Sequence, residues 1–375
     1  MRNPFVTNGY AGNEYFCDRK QETDDIRSLL VNENNIAIVS PRRIGKTELI
    51  NHVFDCEEFR SKYYCFLVDI YASQSVSDLV NMLGKAVLEE LKPKGRNVWE
   101  KFVAAIGSIR SEITFDINGQ PSWSVGLGEI RNPIVTLDEI FRYLESADRP
   151  CIVAIDEFQQ ITKYKDAMAE ATLRTYVQKS TNAHFIFAGS QRHLMNGMFT
   201  SPSRPFYQSV TIMDLKPLDI EKYIGFANDK FKERGKRFDP EVLEDLYGRF
   251  DGVTSYIHRI LNILFSRTDN GQTCSVDMVE PAIDFVIRLS SDTYESLFYQ
   301  MSQKQRAVFL AIASEGKVSE VMSGSFVKRH SLLSPSSVSS ALKGLIDKDF
   351  ITNDNKVYSV YDKFFQIWLS KRGLI

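Results

Sequence analysis

The sequence predicts an α/β fold: a parallel sheet with helices on both faces, then an all-helical stretch and a small helix-rich block at the C-terminal end. Three observations carry this. Continuous apolar runs (IAIV, YYCFLVDI, CIVAI, HFIFAG) alternate with stretches of helical period, as strands buried on both faces do. After Pro217 the strand-like runs stop and only helical spacing remains. The last block ends in a hairpin pattern, FITNDNKVYSV, and a final helix.

The elements follow in order. The first run, IAIV, passes through SPRRIGKTELI, so a strand enters a tight loop and leaves it as a helix. Residues 63–70 read as a second strand. Residues 76–91 repeat apolar positions at Leu79, Leu83, Val87 and Leu91 and stop before Pro93, which predicts a helix. Residues 95–132 are less regular, although residues 113–128 alternate around Asn118-Gly119, a hairpin turn. A helix over 136–146 leads into CIVAI, which ends on Asp156 and Glu157. A helix over 167–180 leads into HFIFAGSQ, and a polar loop, SPSRPFYQ, precedes a short strand, SVTIM. Beyond it, helices are expected over 218–234, 240–250, 254–267 and 275–289. From about residue 302 the order is helix, helix, helix, hairpin, helix.

The loop carries the first chemistry. The phosphate-binding pattern G-x-x-x-x-G-K-[ST] is matched by Gly45, Lys46 and Thr47, with Ser40 in the place of its first glycine. Such a loop aims backbone N–H groups inward at the positive end of a helix dipole. Gly45 lets the backbone approach phosphate, Lys46 neutralises β- and γ-phosphate charge, and the Thr47 hydroxyl suits Mg²⁺. The cradle runs over Ser40, Pro41, Arg42, Arg43, Ile44, Gly45, Lys46, Thr47 and Glu48. A small serine followed by Pro41 makes the first turn provided its φ stays negative.

Phosphoryl transfer also needs a second metal contact and a group that orients the attacking water. Asp156, at a strand end, suits the metal. Glu157 suits the water, with a solvated surface charge as the plain alternative. Gly189 and Ser190 end the neighbouring strand, as a sensor of the γ-phosphate or as a tight turn. Arg204 is a candidate arginine finger, and Arg192, Arg42 and Arg43 compete for that role.

With these motifs in place, the chain resembles the prokaryotic AAA-type ATPases, and more narrowly the archaeal-type ATPases grouped with the STAND NTPases and related to origin-recognition ATPases. The segments that carry the likeness are YFCDRKQE, SPRRIGKTELI, AIDEFQQI, FAGSQ and the C-terminal SQKQRAVFLAIA, SSVSSALKGLIDKDFI and VYSVYDKFFQIWL. The resemblance implies a P-loop NTPase core (residues 1–216), a helical lid (217–298) and a winged-helix domain (299–375). It implies ATP and Mg²⁺ as ligands, with Lys46, Thr47 and Asp156 on phosphate and metal, Glu157 on water, Ser190 as sensor, and Asp18 and Arg19 bordering the adenine. ATP rather than GTP follows from the likeness and from the lack of an N-K-x-D guanine motif. Where the family carries Gly-x-Pro in its lid, this chain has Gly252-Val253-Thr254.

Composition bounds the rest. At 375 residues, 43% hydrophobic and 25% charged, the chain has room for two or three domains. No apolar run approaches the roughly 18–20 residues that span a bilayer, and the N-terminal stretch lacks the apolar core of a signal peptide. The five cysteines are scattered, without a C-x-x-C pair, and the five histidines lack ligand spacing. A cytoplasmic location with no membrane partner and no transition metal is expected. Net charge is −2, but from residue 301 onward eleven basic residues face six acidic ones. In a winged helix the helix from Pro335 would enter the major groove of duplex DNA and the hairpin around Asn353-Asp354-Asn355 would touch phosphate. Its outer face offers Ser336, Ser337, Ser340 and Lys343, which suit backbone contacts more than base readout. Three readings stay open: a DNA-linked ATPase, a signalling switch whose winged helix holds a protein partner or its own core, and a nucleotide-binding scaffold with little hydrolysis.

Overall fold

The computed structural model describes residues 2–126, 129–354 and 356–375. The chain divides into two compact units, one of Asn8–Leu218 and one of Asp219–Ile375 together with the residues up to Thr7.

The first unit is built on a five-stranded sheet. Its strands are β1 (Ile36–Val39), β2 (Tyr64–Asp69), β5 (Cys151–Asp156), β6 (Ala183–Gly189) and β7 (Thr211–Asp214), with a separate antiparallel hairpin of β3 (Ile113–Phe115) and β4 (Pro121–Trp123) inserted between β2 and β5. The order is β2-β5-β6-β1-β7, all parallel. Alternate residues of each strand face opposite layers. Ile36 and Ile38, Ile152 and Ala154, and Ile186 and Ala188 pack under α1 (Lys20–Val31), α2 (Lys46–Asp55) and α3 (Glu57–Lys62). Ala37 and Val39, Val153 and Ile155, and Phe185 and Phe187 pack under α4 (Val76–Leu91), α5 (Arg96–Ala105), α6 (Pro133–Ser146), α7 (Ala169–Lys179) and α8 (Arg192–Thr200). Both faces are covered, which is why the strands read as unbroken apolar runs.

Four of these helices, α1, α3, α5 and α8, are additions to the expected set. α5 buries Trp99, Phe102 and Val103, and α8 buries Met195, Met198 and Phe199. The expected hairpin forms around Gly119, whose φ of +73° the turn requires. Residues 127 and 128 of that stretch lie outside the described residues, as does Asn355 in the C-terminal hairpin.

The second unit holds α9 (Ile220–Lys232), α10 (Pro240–Arg249), α11 (Thr254–Arg267) and α12 (Val279–Gln300), with a short parallel pair, β8 (Arg237–Phe238) and β9 (Thr273–Cys274), among helices where only helices are expected. Asp219 and Asp239 cap α9 and α10 through their side chains. Residues near the N-terminus belong here too. Phe5 is fully buried among Phe226, Phe231, His258 and Phe265, and the Asn262 amide donates to the Phe5 carbonyl.

α12 runs eleven residues past the expected end at 289. Ser290 to Thr293 interrupt its apolar period, but Tyr294 and Phe298 resume the buried face, seven and eleven positions after Ile287. The stretch expected as a lid and the C-terminal block therefore come as one unit. That block comprises α13 (Gln303–Glu315), β10 (Lys317–Val318), α14 (Gly324–Arg329), α15 (Pro335–Asp347), β11 (Ile351–Asp354), β12 (Val357–Val360) and α16 (Lys363–Lys371), with its strands in the order β10-β12-β11. Ser302 caps α13 in a reciprocal capping box with Gln305, and Ser334 caps α15 ahead of Pro335.

Candidate nucleotide site

Because β6 lies between β1 and β5, the C-terminal ends of three neighbouring strands bring together the loop before α2, the Asp156-Glu157 pair and Ser190. Ligands of parallel sheets bind at this edge.

The loop adopts the shape its sequence asks for. Arg43 (φ +67°) and Gly45 (φ +93°) take left-handed turns, Ile44 is buried as an anchor, and α2 starts at Lys46. Ser40 is fully buried and has no positive φ; its amide donates to the Gly189 carbonyl at 3.3 Å and its hydroxyl to the Pro41 carbonyl at 2.9 Å. Glu48 sits in the first turn of α2, its carboxylate 4.0 Å from where a Cβ on Gly45 would stand.

Asp156, 5% exposed, is the hub. Lys46 Nζ lies 2.9 Å from its Oδ1, the Glu157 amide donates to the same oxygen at 2.9 Å, and the Thr47 hydroxyl donates to Oδ2. Three donors thus converge on one buried carboxylate. Lys46 also lies 3.6 Å from Glu157 Oε1. The Ser190 hydroxyl donates to Glu157 Oε2 at 2.9 Å and accepts from Arg42 Nε at 3.2 Å. Gly189 is glycine for packing: a Cβ there would come 2.3 Å from Met195 Sδ.

Arg19, buried at the left-handed entry to α1, donates to the Ile44 carbonyl at 3.4 Å and pairs with Glu22 at 2.7 Å, so it braces the loop from outside. Asp18 precedes it with φ +52°. The segment is seated on α2 by Phe16, stacked 4.1 Å from the His52 ring, and by Tyr10, whose hydroxyl lies 3.1 Å from His52 Nδ1. Burial, then the nearby Asp55 charge, pushes the Tyr10 hydroxyl up to about 12.

Two arginines stand apart from the cluster. Arg204 pairs with Glu170 of α7, and Arg192 pairs with Asp214 at the end of β7 at 2.6 Å. Two further polar groups join the site without a motif to mark them. Asp69 ends β2 in register with Asp156. Burial, with the negative charges of Asp156 and Glu157, holds its carboxyl above the usual range, against the Tyr71 amide and Lys46, which lower it. Gln159, 2% exposed, donates through Nε2 to Glu157 Oε2 at 2.5 Å. An acid at the end of the strand YCFLVD was the available signal for Asp69.

A parallel sheet with this strand order, a glycine-lysine-threonine loop opening a helix, and a lysine-bridged aspartate on a nearby strand end define a P-loop ATPase domain. Residues 16–260 match the family described as an ATPase domain predominantly from Archaea, and the chain belongs to it. Residues 292–371 match a probable winged helix domain. A search of curated protein sequences finds no match. Among solved structures the chain is similar to the Walker-type ATPase PABY2304 of Pyrococcus abyssi (16% identity, 98% of this chain and 99% of that one, TM-score 0.63). It is also similar to Aeropyrum pernix ORC2 in ADPNP–ADP complexes (13%, 100% and 99%, 0.59) and to Aeropyrum pernix ORC1 in complex with DNA (12%, 96% and 93%, 0.52). At these identities the likeness is one of fold. Among the described residues no helix is long and apolar enough to cross a membrane.

Proposed function

We propose that the protein binds ATP with Mg²⁺ and hydrolyses it slowly, as a conformational switch whose output is the winged helix, within the AAA-type ATPases and their STAND group. The convergence of Lys46, Thr47, Asp156, Glu157 and Ser190 carries this reading. The site fits a hard cation: the Thr47 hydroxyl and the Asp156 carboxylate are oxygen donors side by side. A magnesium ion held there would supply positive charge to the β- and γ-phosphates.

The protein's own groups do the rest. Amides of residues 42–47 would wrap the phosphates at the N-terminus of α2, and Lys46 would move its charge from Asp156 to the γ-phosphate. Glu157 would orient water for attack on the γ-phosphorus and take its proton as the bond to the β-phosphate oxygen breaks. Ser190, hydrogen-bonded to both Arg42 and Glu157, would report phosphate occupancy to the water-orienting carboxylate. Arg204, on Glu170, would have to leave that partner to serve as a finger.

Binding of ATP and GTP with Mg²⁺, followed by turnover, tests this. Lys46→Ala should weaken ATP binding about tenfold or more, worth about 1.4 kcal/mol. Glu157→Gln should keep binding and lower turnover by about 10²–10⁴. A wild type that binds no nucleotide would sink the reading and leave the chain a binding module.

For the output, two observations point in different directions. Lys317 and Lys363 pair with Asp251 of the lid, and Lys371 pairs with Glu280 and Asp284, which favours a winged helix held by its own lid. An open groove of about 690 Å³ between the starts of α13 and α15, lined by Lys304, Ser334, Ser336, Ser337 and Ser340, suits nucleic-acid phosphate. The fold shared with a protein solved on DNA makes duplex DNA the first ligand to try.

A further inference from the structure

Glu157 leaves β5 in a left-handed turn (φ 54°, ψ 38°) and caps the short 3-10 helix Phe158–Lys163. Phe158 is fully buried against Phe187, Phe199 and Phe206, which fixes the backbone on either side of it. The Glu157 carboxylate is then held asymmetrically. Oε2 receives both the Ser190 hydroxyl at 2.9 Å and the Gln159 amide at 2.5 Å, while Oε1 faces Lys46 at 3.6 Å.

Gln159 is an odd choice for a position this buried. Its side chain is 2% exposed, and its Oε1 has no hydrogen-bond partner among the described residues. The amide must turn its nitrogen to Glu157, because its oxygen there would face a carboxylate. A methionine would fill similar space without burying an unpaired carbonyl, so packing alone does not account for the amide. The fold also makes room for it: a Cβ on Gly189 would come 2.4 Å from Gln159 Oε1.

We propose that Gln159 is a positioning residue for ATP hydrolysis. With Ser190 it holds Glu157 by Oε2 and leaves Oε1, on the Lys46 side, as the oxygen that takes the water proton. Ser190 also accepts from Arg42 of the phosphate loop; Gln159 is the second donor, which would keep Glu157 aimed if that loop drew Ser190 aside. This rests on the hydrolysing reading above.

The test uses the full chain with Gln159→Met, which removes the donor at similar volume, and Gln159→Glu, which keeps the shape and sets a second carboxyl against Glu157. Dissociation constant and KM for MgATP should stay within about twofold while kcat falls about tenfold or more. In a Glu157→Gln background, single-turnover hydrolysis should be indifferent to Gln159→Met, because the residue acts through Glu157. An equal fold-loss in both backgrounds, or an unchanged kcat, overturns the proposal while leaving ATP hydrolysis in place. A wild type that binds ATP without turnover overturns both. Should Gln159→Met lose its cooperative unfolding transition, Gln159→Glu carries the same comparison.

Discussion

Arg204 donates to Glu170, whose carboxylate is buried at the start of α7. Burial raises the Glu170 carboxyl, and the Arg204 charge pulls it partly back. Removing the arginine strands a charge in a low-dielectric site, which costs more than an exposed pair ever contributes. Arg204→Ala should therefore destabilise the first unit by about 2 kcal/mol, less than a fully buried pair because the arginine is 35% exposed. Arg204→Lys should recover part of that loss, both read by urea unfolding. Such partners are invisible in a sequence, where Arg204 reads only as an arginine near a strand end. Ser40 was more legible: a residue that keeps a negative φ needs no glycine, and its hydroxyl finds the next carbonyl. Gln159 was not. DEFQQ offers two glutamines, and only the short helix after Glu157 turns the first to the carboxylate and the second, Gln160, to the Ser73 carbonyl.

At the scale of elements, the junction between lid and winged helix rests on the turn before α11. Asp251 and Gly252 are both left-handed there, and Asp251 accepts from Lys317 of β10 and lies 2.9 Å from Lys363 of α16. The Tyr256 hydroxyl donates to the Tyr361 carbonyl and accepts from the Lys363 amide. Tyr294 of α12 stacks on Phe365 of α16, and Ser291 accepts from the Trp368 indole at 3.0 Å. Burial pushes the Asp251 carboxyl up, but the two lysines outweigh it and hold it below its ordinary value. A folded-state value below the unfolded one, about 3.9, means a stabilisation present above that pH and lost as pH falls through the folded value. Asp251→Asn should thus cost about 1 kcal/mol at pH 7, since both pairs are partly exposed. Its deficit against the wild type should close below about pH 4, read by thermal midpoints. Elements with a strong pattern were readable: the five strands of the sheet, α4 and α11. Those that failed had physical reasons. α5 is short and lacks a side-chain cap, α8 carries a glycine in its middle, and polar residues 290–293 break the apolar period of α12 although its buried stripe resumes at Tyr294.

For the molecule as a whole, charge decides what the winged helix has left to offer. Of the eleven basic residues after position 300, Lys317, Lys363 and Lys371 pair with lid carboxylates and Arg329 with Glu315. Arg306 lies over Phe298 and Tyr299, and Arg372 over Trp368. Lys304, Lys328, Lys343, Lys348 and Lys356 remain without an ion pair among the described residues. The basic surplus in the sequence is therefore spent largely inside the second unit, and an argument from net charge overstates the reach toward nucleic acid. Each phosphate neutralised contributes about −0.9 to the slope of log affinity against log salt. If the winged helix binds duplex DNA as it stands, five lysines limit that slope to about −4.5. Titrations with labelled duplex between 50 and 200 mM salt, roughly the range where such slopes are resolved, read it directly. A shallower slope fits a helix that keeps its lid contacts on DNA. A steeper one requires further cations, either Arg306 and Arg372 turned from their rings or Lys317, Lys363 and Lys371 drawn from Asp251, Glu280 and Asp284 to phosphate. In the latter case Asp251→Asn, which releases two of these lysines in advance, should bind DNA more tightly than the wild type at every salt concentration.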